Sequence, residues 1–231
     1  MKTIGLIGGM SWQSSIEYYR IINEESNKRL GDFHTSETIM YSVDIDAVLK
    51  NQHANEWQIL SEHMTDVALK LENAGADFVL ICANTMHKTA DYVEKNINIP
   101  LVHIADTVAD EIKRKGFKKV GLIGTPFTMQ EEFYKGRLKE KHNIEVLIPD
   151  EQADVDCIYD IIKDELTFGK LLDSSREKYL KIMQKLVKRG AEGVILGCTE
   201  IPLLIKQEHT AIPVFDTATL HALAAVKKSI E

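Results

Sequence analysis

Two stretches of the chain end a predicted strand in nearly the same way. "ICANTMH" covers residues 81–87 and "LGCTEIP" covers residues 196–202, so an offset of 115 places Cys198 on Ala83. A thiol at a strand end suits acid–base or nucleophilic chemistry, because cysteine can exchange its proton near neutral pH. The repeat therefore predicts two related sites, one with a thiol and the other with only a methyl group.

Cys198 is the principal candidate for a chemical role. It follows Gly197 at a strand end, which favours exposure, and it precedes a predicted helix. Thiols at helix N-termini have a depressed pKa, so the position predicts a thiolate. Cys82 is the neighbour of Ala83 in its strand, and the alternation of strand side chains predicts that it points toward the core.

Small polar residues beside the strand ends are expected to bind a carboxylate through backbone and side-chain donors. These residues are Asn84, Thr85, Thr125 and Thr199. Helix capping explains each of them equally well alone, but the repeated placement beside Cys198 favours a ligand site. Met10, after the first strand, is expected to contact the substrate, and His87 and Glu200 are expected to support the site.

The elements that must position these residues alternate along the chain. Short apolar runs alternate with amphipathic segments, which predicts parallel sheets covered on both faces. Residues 4–18 resemble 120–134 at an offset of 116, and residues 74–85 resemble 189–200 at an offset of 115. We therefore predict an α/β protein with two similar parallel-sheet, Rossmann-like domains related by pseudo-twofold symmetry. Because ligands bind beyond the carboxyl ends of parallel strands, the active site is expected in the cleft between the domains.

The repeat also predicts where the domains and elements begin and end. The first domain is expected to comprise residues 1–103 plus 213–231, and the second residues 104–212. Within the first domain, Ser11 is expected to cap a helix that ends at Leu30. A further helix is expected over residues 54–73, and a fourth strand over residues 100–104.

Composition excludes several classes of protein. A net charge of −7 argues against a general nucleic-acid binder. No apolar run approaches the ~18 residues of a membrane helix, and the short apolar start is not expected to be a secretory signal. The three cysteines form no CxxC pair and favour a reducing, cytoplasmic setting. The histidines show no metal spacing, and "GLIGG" lacks the spacing of a dinucleotide or P-loop motif.

These residues resemble the aspartate/glutamate racemase family nearly from end to end. The resemblance lies in "IGLIGGMSW", "NTMH", "GLIGT", "GCTEI" and "PVFDT". It implies racemisation of an amino acid without a cofactor such as pyridoxal phosphate (PLP), by two opposed bases. One base is Cys198, and the other stands just before the Asn-Thr pair, at position 83. The family likeness also implies a homodimer.

Ala83 departs from the pattern that the resemblance implies, because a methyl group has no proton to give or take. Three accounts are open: a substitution introduced to trap a bound substrate, a natural variant in which water or Cys82 takes over, or one-thiol chemistry like that of the related arylmalonate decarboxylases. Each predicts that racemisation by this chain is absent or impaired unless another group replaces the base. A binding module that senses an amino acid without converting it is the competing class of function.

The side-chain specificity of the predicted site is open. Members of the family that are specific for acidic amino acids carry a basic residue after the second strand. This chain offers Lys50, Gln52 and His53 there, but no Arg. We expect Gln52 to contact the substrate. Aspartate, glutamate and other polar amino acids such as homoserine all remain candidate substrates.

Overall fold

The computed structural model describes all residues from 1 to 231. The chain divides into two compact units. Unit 1 consists of Met1–Ile104 and Ala218–Glu231, and unit 2 consists of Ala105–Thr217. The predicted boundaries, after residues 103 and 212, lie one and five residues before these. Each unit contains its own parallel sheet.

The sheet of unit 1 has three parallel strands in the order β2-β1-β3. Its strands are β1 (Ile4–Gly8), β2 (Thr38–Ser42) and β3 (Phe78–Ile81). Leu101 adds an isolated parallel bridge to Val79 on β3. The fourth strand predicted over residues 100–104 is thus reduced to one bridge, because the helix Ile104–Arg114 begins directly after it.

The sheet of unit 2 has four parallel strands in the order β5-β4-β6-β7. Its strands are β4 (Lys119–Gly124), β5 (Glu145–Leu147), β6 (Val194–Gly197) and β7 (Val214–Asp216). The order of the first three repeats that of unit 1, and β7 occupies the place of the Leu101 bridge. Because β7 pairs along β6, the prediction that residues 213–217 belong to the first domain is wrong.

Helices connect the strands in both units. They are α1 (Trp12–Leu30), α2 (Ile45–His53), α3 (Trp57–Asn73), α4 (Ala90–Asn96), α5 (Ile104–Arg114), α6 (Pro126–Gln130), α7 (Glu132–His142), α8 (Gln152–Asp164), α9 (Asp173–Lys188), α10 (Ile201–Leu204) and α11 (Thr217–Ile230). Ser11 caps α1 as predicted, since its side chain accepts from the N–H of Ser14. Helix α2 was not predicted, and the helix predicted from residue 54 begins at Trp57. None of these helices is both long and apolar enough to cross a membrane.

The core of unit 1 lies on both faces of its sheet. Successive strand residues point to opposite faces, so Ile7 and Ile81 join one buried cluster while Leu6 and Leu80 join another. Both clusters consist of buried and mostly aliphatic side chains, as expected for a parallel sheet covered by helices. This alternation decides which residue at the end of β3 faces which cluster.

Candidate active site

In unit 1, the chain after β3 continues with Cys82 and Ala83, and the two side chains belong to different clusters. Cys82 is 1% exposed and packs in the cluster of Leu6 and Leu80. Ala83 is half-buried and packs against the cluster of Ile7 and Ile81. Burial raises the pKa of the Cys82 thiol far above its ordinary value. The prediction that Cys82 points into the core is confirmed.

His87 holds the backbone of Ala83. Its Nδ1–H donates to the Ala83 carbonyl at 2.8 Å, and its Nε2 accepts the Ile104 N–H at 3.1 Å. A backbone N–H can only donate, so Nε2 carries no proton and the ring is the neutral Nδ1–H tautomer. The buried ring thus links position 83 to the first residue of α5.

The rings of two further histidines pack beside His87, and one of them is hydrogen-bonded to a tyrosine. The ring centroids of His103 and His221 lie 4.6 and 5.6 Å from that of His87. His221 donates from Nε2 to the Val102 carbonyl at 2.8 Å, so its Nδ1 accepts the Tyr18 hydroxyl at 2.8 Å. Burial lowers the pKa of His221 to about 4, and the ring is neutral at physiological pH.

The other predicted residues of unit 1 lie near this strand end. Met10 is half-buried in the cluster of Ala83. Gln52 is buried on the unpredicted helix α2, and its Nε2 lies 3.1 Å from the Met86 sulfur. Lys50 and His53 are exposed on the same helix. Asn84 is buried, and half-buried Thr85 begins the 3-10 turn Thr85–Thr89.

Gly9 makes the turn before Met10 possible. Its φ is +88°, and a Cβ at this position would lie 2.2 Å from the Val43 carbonyl oxygen. No L side chain fits such a contact, so the residue has to be glycine. The "GLIGG" segment thus makes a tight turn between β1 and α1 at this position.

In unit 2, a close approach of two glycines defines the corresponding strand ends. Gly124 on β4 is in register with Gly197 on β6, and a Cβ on Gly124 would lie 2.6 Å from the Gly197 carbonyl oxygen. The next residues, Thr125 and Cys198, are therefore neighbours at the carboxyl edge of this sheet. The half-buried Thr125 caps α6, because its hydroxyl oxygen accepts the Thr128 N–H at 3.3 Å.

Cys198 forms a hydrogen-bonded group with the two residues that follow it. Its thiol donates to Glu200 Oε2 at 2.9 Å, and the Thr199 hydroxyl donates to the same oxygen at 3.1 Å. All three residues are buried, with Cys198 8% and Glu200 6% exposed. Thr125, Cys198, Thr199 and Glu200 thus all lie at the carboxyl edge of the sheet of unit 2.

The protonation state predicted for Cys198 is wrong. Burial and the Glu200 carboxylate raise the pKa of the Cys198 thiol well above its ordinary value. The backbone N–H groups of Glu200 and Thr199 lower the pKa of this thiol, but burial and the carboxylate outweigh them. The expected exposure is wrong as well, since the thiol is almost fully buried. Cys198 is consequently a neutral thiol in this structure.

Tyr179 on α9 is a neighbour of Cys198 that the sequence did not reveal. Burial, followed by the proximity of Cys198, raises the pKa of its hydroxyl well above the ordinary value. The hydroxyl donates to the Ile158 carbonyl at 3.0 Å. Likewise, Tyr18 and His221 were not predicted, because their partners lie far away in sequence. Elsewhere, no group of three His, Cys, Asp or Glu side chains is arranged to hold a metal ion.

The two parallel sheets, whose first three strands follow the same order, belong to an α/β protein that matches the two-domain fold of Asp/Glu racemase structures. The sequence matches the family Asp/Glu/Hydantoin racemase over residues 7–225, and the chain belongs to this family.

Solved structures and named relatives agree with this assignment. A Yersinia pestis protein described as a candidate Asp/Glu racemase is 44% identical over the full length of both chains, with a TM-score of 0.93. PH1733, an aspartate racemase homologue from Pyrococcus horikoshii, is 37% identical over both full lengths, with a TM-score of 0.87. The broad specificity amino-acid racemase RacX of Bacillus subtilis is 26% identical over 72% of this chain and 71% of its own length. The glutamate racemase of Aquifex pyrophilus is 29% identical over 59% of this chain, but only 51% of its own length.

Proposed function

We propose that this protein acts on the α-proton of an amino acid without PLP, with Cys198 as the acid–base group for one face of the substrate. The observation that carries the proposal is the Cys198 thiol, 2.9 Å from Glu200, at a strand end of a chain in the racemase family. Racemisation requires a group that removes the α-proton and a group that returns one to the opposite face. Position 83 is the proposed site of that second group.

Neutral donors are proposed to stabilise the substrate carboxylate and the enolate that forms from it. The proposed donors are Asn84, Thr85, Thr125 and Thr199. Gln52 and Met10 are proposed to contact the rest of the substrate. Met10 packs against the same cluster as Ala83, and Gln52 is hydrogen-bonded to Met86 of that cluster. His87 supports position 83 through the carbonyl bond, and Glu200 supports Cys198.

Ala83 leaves the second face of the substrate without a proton donor or acceptor. Cys82 is a poor replacement, because its side chain lies in the opposite cluster and its burial raises the thiol pKa. We therefore propose that this chain exchanges the α-proton on the Cys198 face and inverts the configuration slowly or not at all.

The substrate is proposed to be aspartate, glutamate or a wider set of polar amino acids such as homoserine. A wide set is favoured by the similarity to a relative named as a broad-specificity racemase. It is also favoured by Gln52, because this uncharged amide is buried on α2 whereas Lys50 and His53 are exposed.

The proposal is tested by proton NMR of L-aspartate, L-glutamate and L-homoserine in D2O, followed by chiral chromatography. The protein is compared with Ala83→Cys. We expect loss of the α-proton signal with retained configuration in the parent, and inversion in Ala83→Cys. If neither protein exchanges the α-proton of any amino acid, racemase chemistry at Cys198 is excluded.

Ala83 itself favours a second candidate, in which the protein binds an amino acid or acts with one thiol only. NMR distinguishes the two candidates. A binding module shows binding of amino acids in ligand-observed NMR, but it never exchanges their α-proton. A homodimer and a cytoplasmic location complete the proposal, and light scattering after size-exclusion chromatography measures the first.

A further inference from the structure

The Glu200 carboxylate is buried in unit 2 and has only neutral hydrogen-bond partners. These are the Cys198 thiol and the Thr199 hydroxyl, both on Oε2. No salt bridge includes Glu200, although it is 6% exposed. Buried carboxylates are ordinarily offset by a cation or by several hydrogen bonds. A nearby positive charge is what this carboxylate lacks.

The Cys198 thiol donates its hydrogen bond to the Glu200 carboxylate. Ionising Cys198 would place a second negative charge within 2.9 Å of the first. Like charges at such a distance in a buried site strongly disfavour each other. Without a ligand, Cys198 is therefore held as a thiol, which is the acid form and not the base.

We propose that Glu200 couples the ionisation of Cys198 to the α-ammonium group of a bound amino acid. The ammonium supplies the missing cation, offsets the Glu200 charge and permits the thiol to lose its proton. Sγ keeps the electron pair of the S–H bond, and the proton leaves to a water molecule. Glu200 is thus a positioning residue that acts through Cys198. This inference rests on the proposed function, because it requires that an amino acid binds beside Cys198.

The proposal also predicts which ligands activate the thiol. Amino acids with a free α-amino group do so, whereas dicarboxylates and hydroxy acids of the same length do not. A site with this property generates its base only after the correct ligand has bound. An empty site keeps Cys198 in the form that reacts least with oxidants and alkylating agents.

Tyr179 on α9 is a further ionisable group near Cys198, and its hydroxyl donates to the Ile158 carbonyl. Cys157 on α8 and Glu165 after it interact in turn with Tyr179. None of them is a cation, so removing the Glu200 charge isolates the coupling that we propose.

The first test measures the thiolate of Cys198 directly, by its ultraviolet absorbance near 240 nm as pH is raised. The absorbance of a Cys198→Ser sample is subtracted, which removes the contributions of Cys82, Cys157 and the tyrosines. We expect Glu200→Gln to contain at least about tenfold more Cys198 thiolate at pH 8 than the parent. Glu200→Asp, which keeps the charge, and Glu208→Gln, which removes an exposed carboxylate of the same unit, should resemble the parent. An unchanged or smaller thiolate fraction in Glu200→Gln overturns the proposal.

The second test adds ligands in matched pairs, aspartate against succinate and homoserine against 4-hydroxybutyrate. We expect the amino acids to raise the thiolate fraction of the parent about tenfold at pH 8, and to leave that of Glu200→Gln unchanged. Binding is verified separately by ligand-observed NMR. Binding without more thiolate overturns the coupling alone. Absence of binding by every amino acid overturns the proposed function, and the coupling with it.

Discussion

The ends of β3 and β6 hold corresponding positions in the two units, yet they are built with different chemistry. An offset of 115 pairs Ala83 with Cys198, Thr85 with Glu200 and His87 with Pro202. The imidazole of His87 binds the carbonyl of position 83, whereas the Cys198 carbonyl accepts the N–H of Ile201 at 3.1 Å. At the end of β3 a polar side chain is therefore hydrogen-bonded to the backbone, whereas at the end of β6 a polar side chain is hydrogen-bonded to a thiol.

This difference shows that the repeated fold and the chemistry of the site are separable. The strand order and the glycine turns set the positions of residues 83 and 198 in the two units. In the proposed function, the side chain at each position, together with those that follow it, decides whether a proton can be moved there. Restoring or removing single groups at either strand end therefore tests the comparison directly.

The largest effect is expected at the end of β6. Cys198→Ser keeps the size of the side chain but replaces the thiol by a hydroxyl that hardly ionises. We expect exchange of the substrate α-proton in D2O to fall by about 10³-fold, within the range of general acid–base catalysis. Cys157→Ser is the matched control and should exchange within about twofold of the parent. Equal losses in both variants would mean that the thiol of Cys198 is not the acid–base group.

The next effect is expected at the end of β3. Ala83→Thr adds a hydroxyl, while Ala83→Val adds the same volume without one. We expect the rate of inversion, measured by chiral chromatography, to be at least about tenfold higher in Ala83→Thr than in Ala83→Val, because a positioned acid–base group is worth roughly 10²–10⁴-fold when its pKa is well matched. Similar rates in the two variants would argue that the side chain at position 83 moves no proton.

The structural part of this comparison was accessible from the sequence, and the electrostatic part was not. Strand alternation correctly predicted that Cys82 points into the core, and the structure places Thr199 and Glu200 in one hydrogen-bonded group with Cys198. The predicted thiolate failed because burial and the Glu200 carboxylate, 2.9 Å from Sγ, raise the thiol pKa more than the nearby backbone N–H groups lower it. Proximity of a charge in space decided the outcome, and the sequence pattern does not measure it.

Tyr18 and His221 of unit 1 were beyond prediction for a related reason. The bonds of His221 join residues 203 and 119 positions apart in sequence. No local pattern marks such a contact. Helix α2 was also missed, although it carries Gln52, because its few buried residues give only a weak helical pattern.

A stability effect of intermediate size is expected from His221, which has no counterpart bond in unit 2. The pKa of His221 falls from 6.5 to about 4 on folding, so the unfolded chain binds more protons between these values. The contribution of the neutral His221 to the free energy of unfolding is fully present above pH 6.5 and is lost as the pH falls toward 4. Between pH 7.5 and 5 the free energy of unfolding should therefore fall by about 2 kcal/mol.

Urea unfolding at both pH values measures this contribution. His221→Gln cannot ionise, so its stability should change less with pH than that of the parent, even if it is lower throughout. The difference between the two slopes isolates His221 from His87 and His103. Parallel slopes would contradict a neutral, buried His221.

The smallest effect is expected from the bond between His87 and position 83. In the Ala83→Thr background, His87→Asn keeps a donor near the place of Nδ1, and His87→Gln keeps an acceptor near the place of Nε2. We expect inversion within about twofold of the background for Asn and a several-fold loss for Gln, because one buried hydrogen bond contributes about 1 kcal/mol. The reverse order would show that the Ile104 bond matters more than the carbonyl of position 83.

The most direct test of the central claim compares the two enantiomers of one substrate in D2O, each supplied alone to the protein with Ala83. A single acid–base group serves one face, so we predict that one enantiomer loses its α-proton at least about tenfold faster and keeps its configuration. Equal exchange of both enantiomers, or inversion as fast as exchange, would contradict the account, since either result requires a second proton-transferring group in this chain.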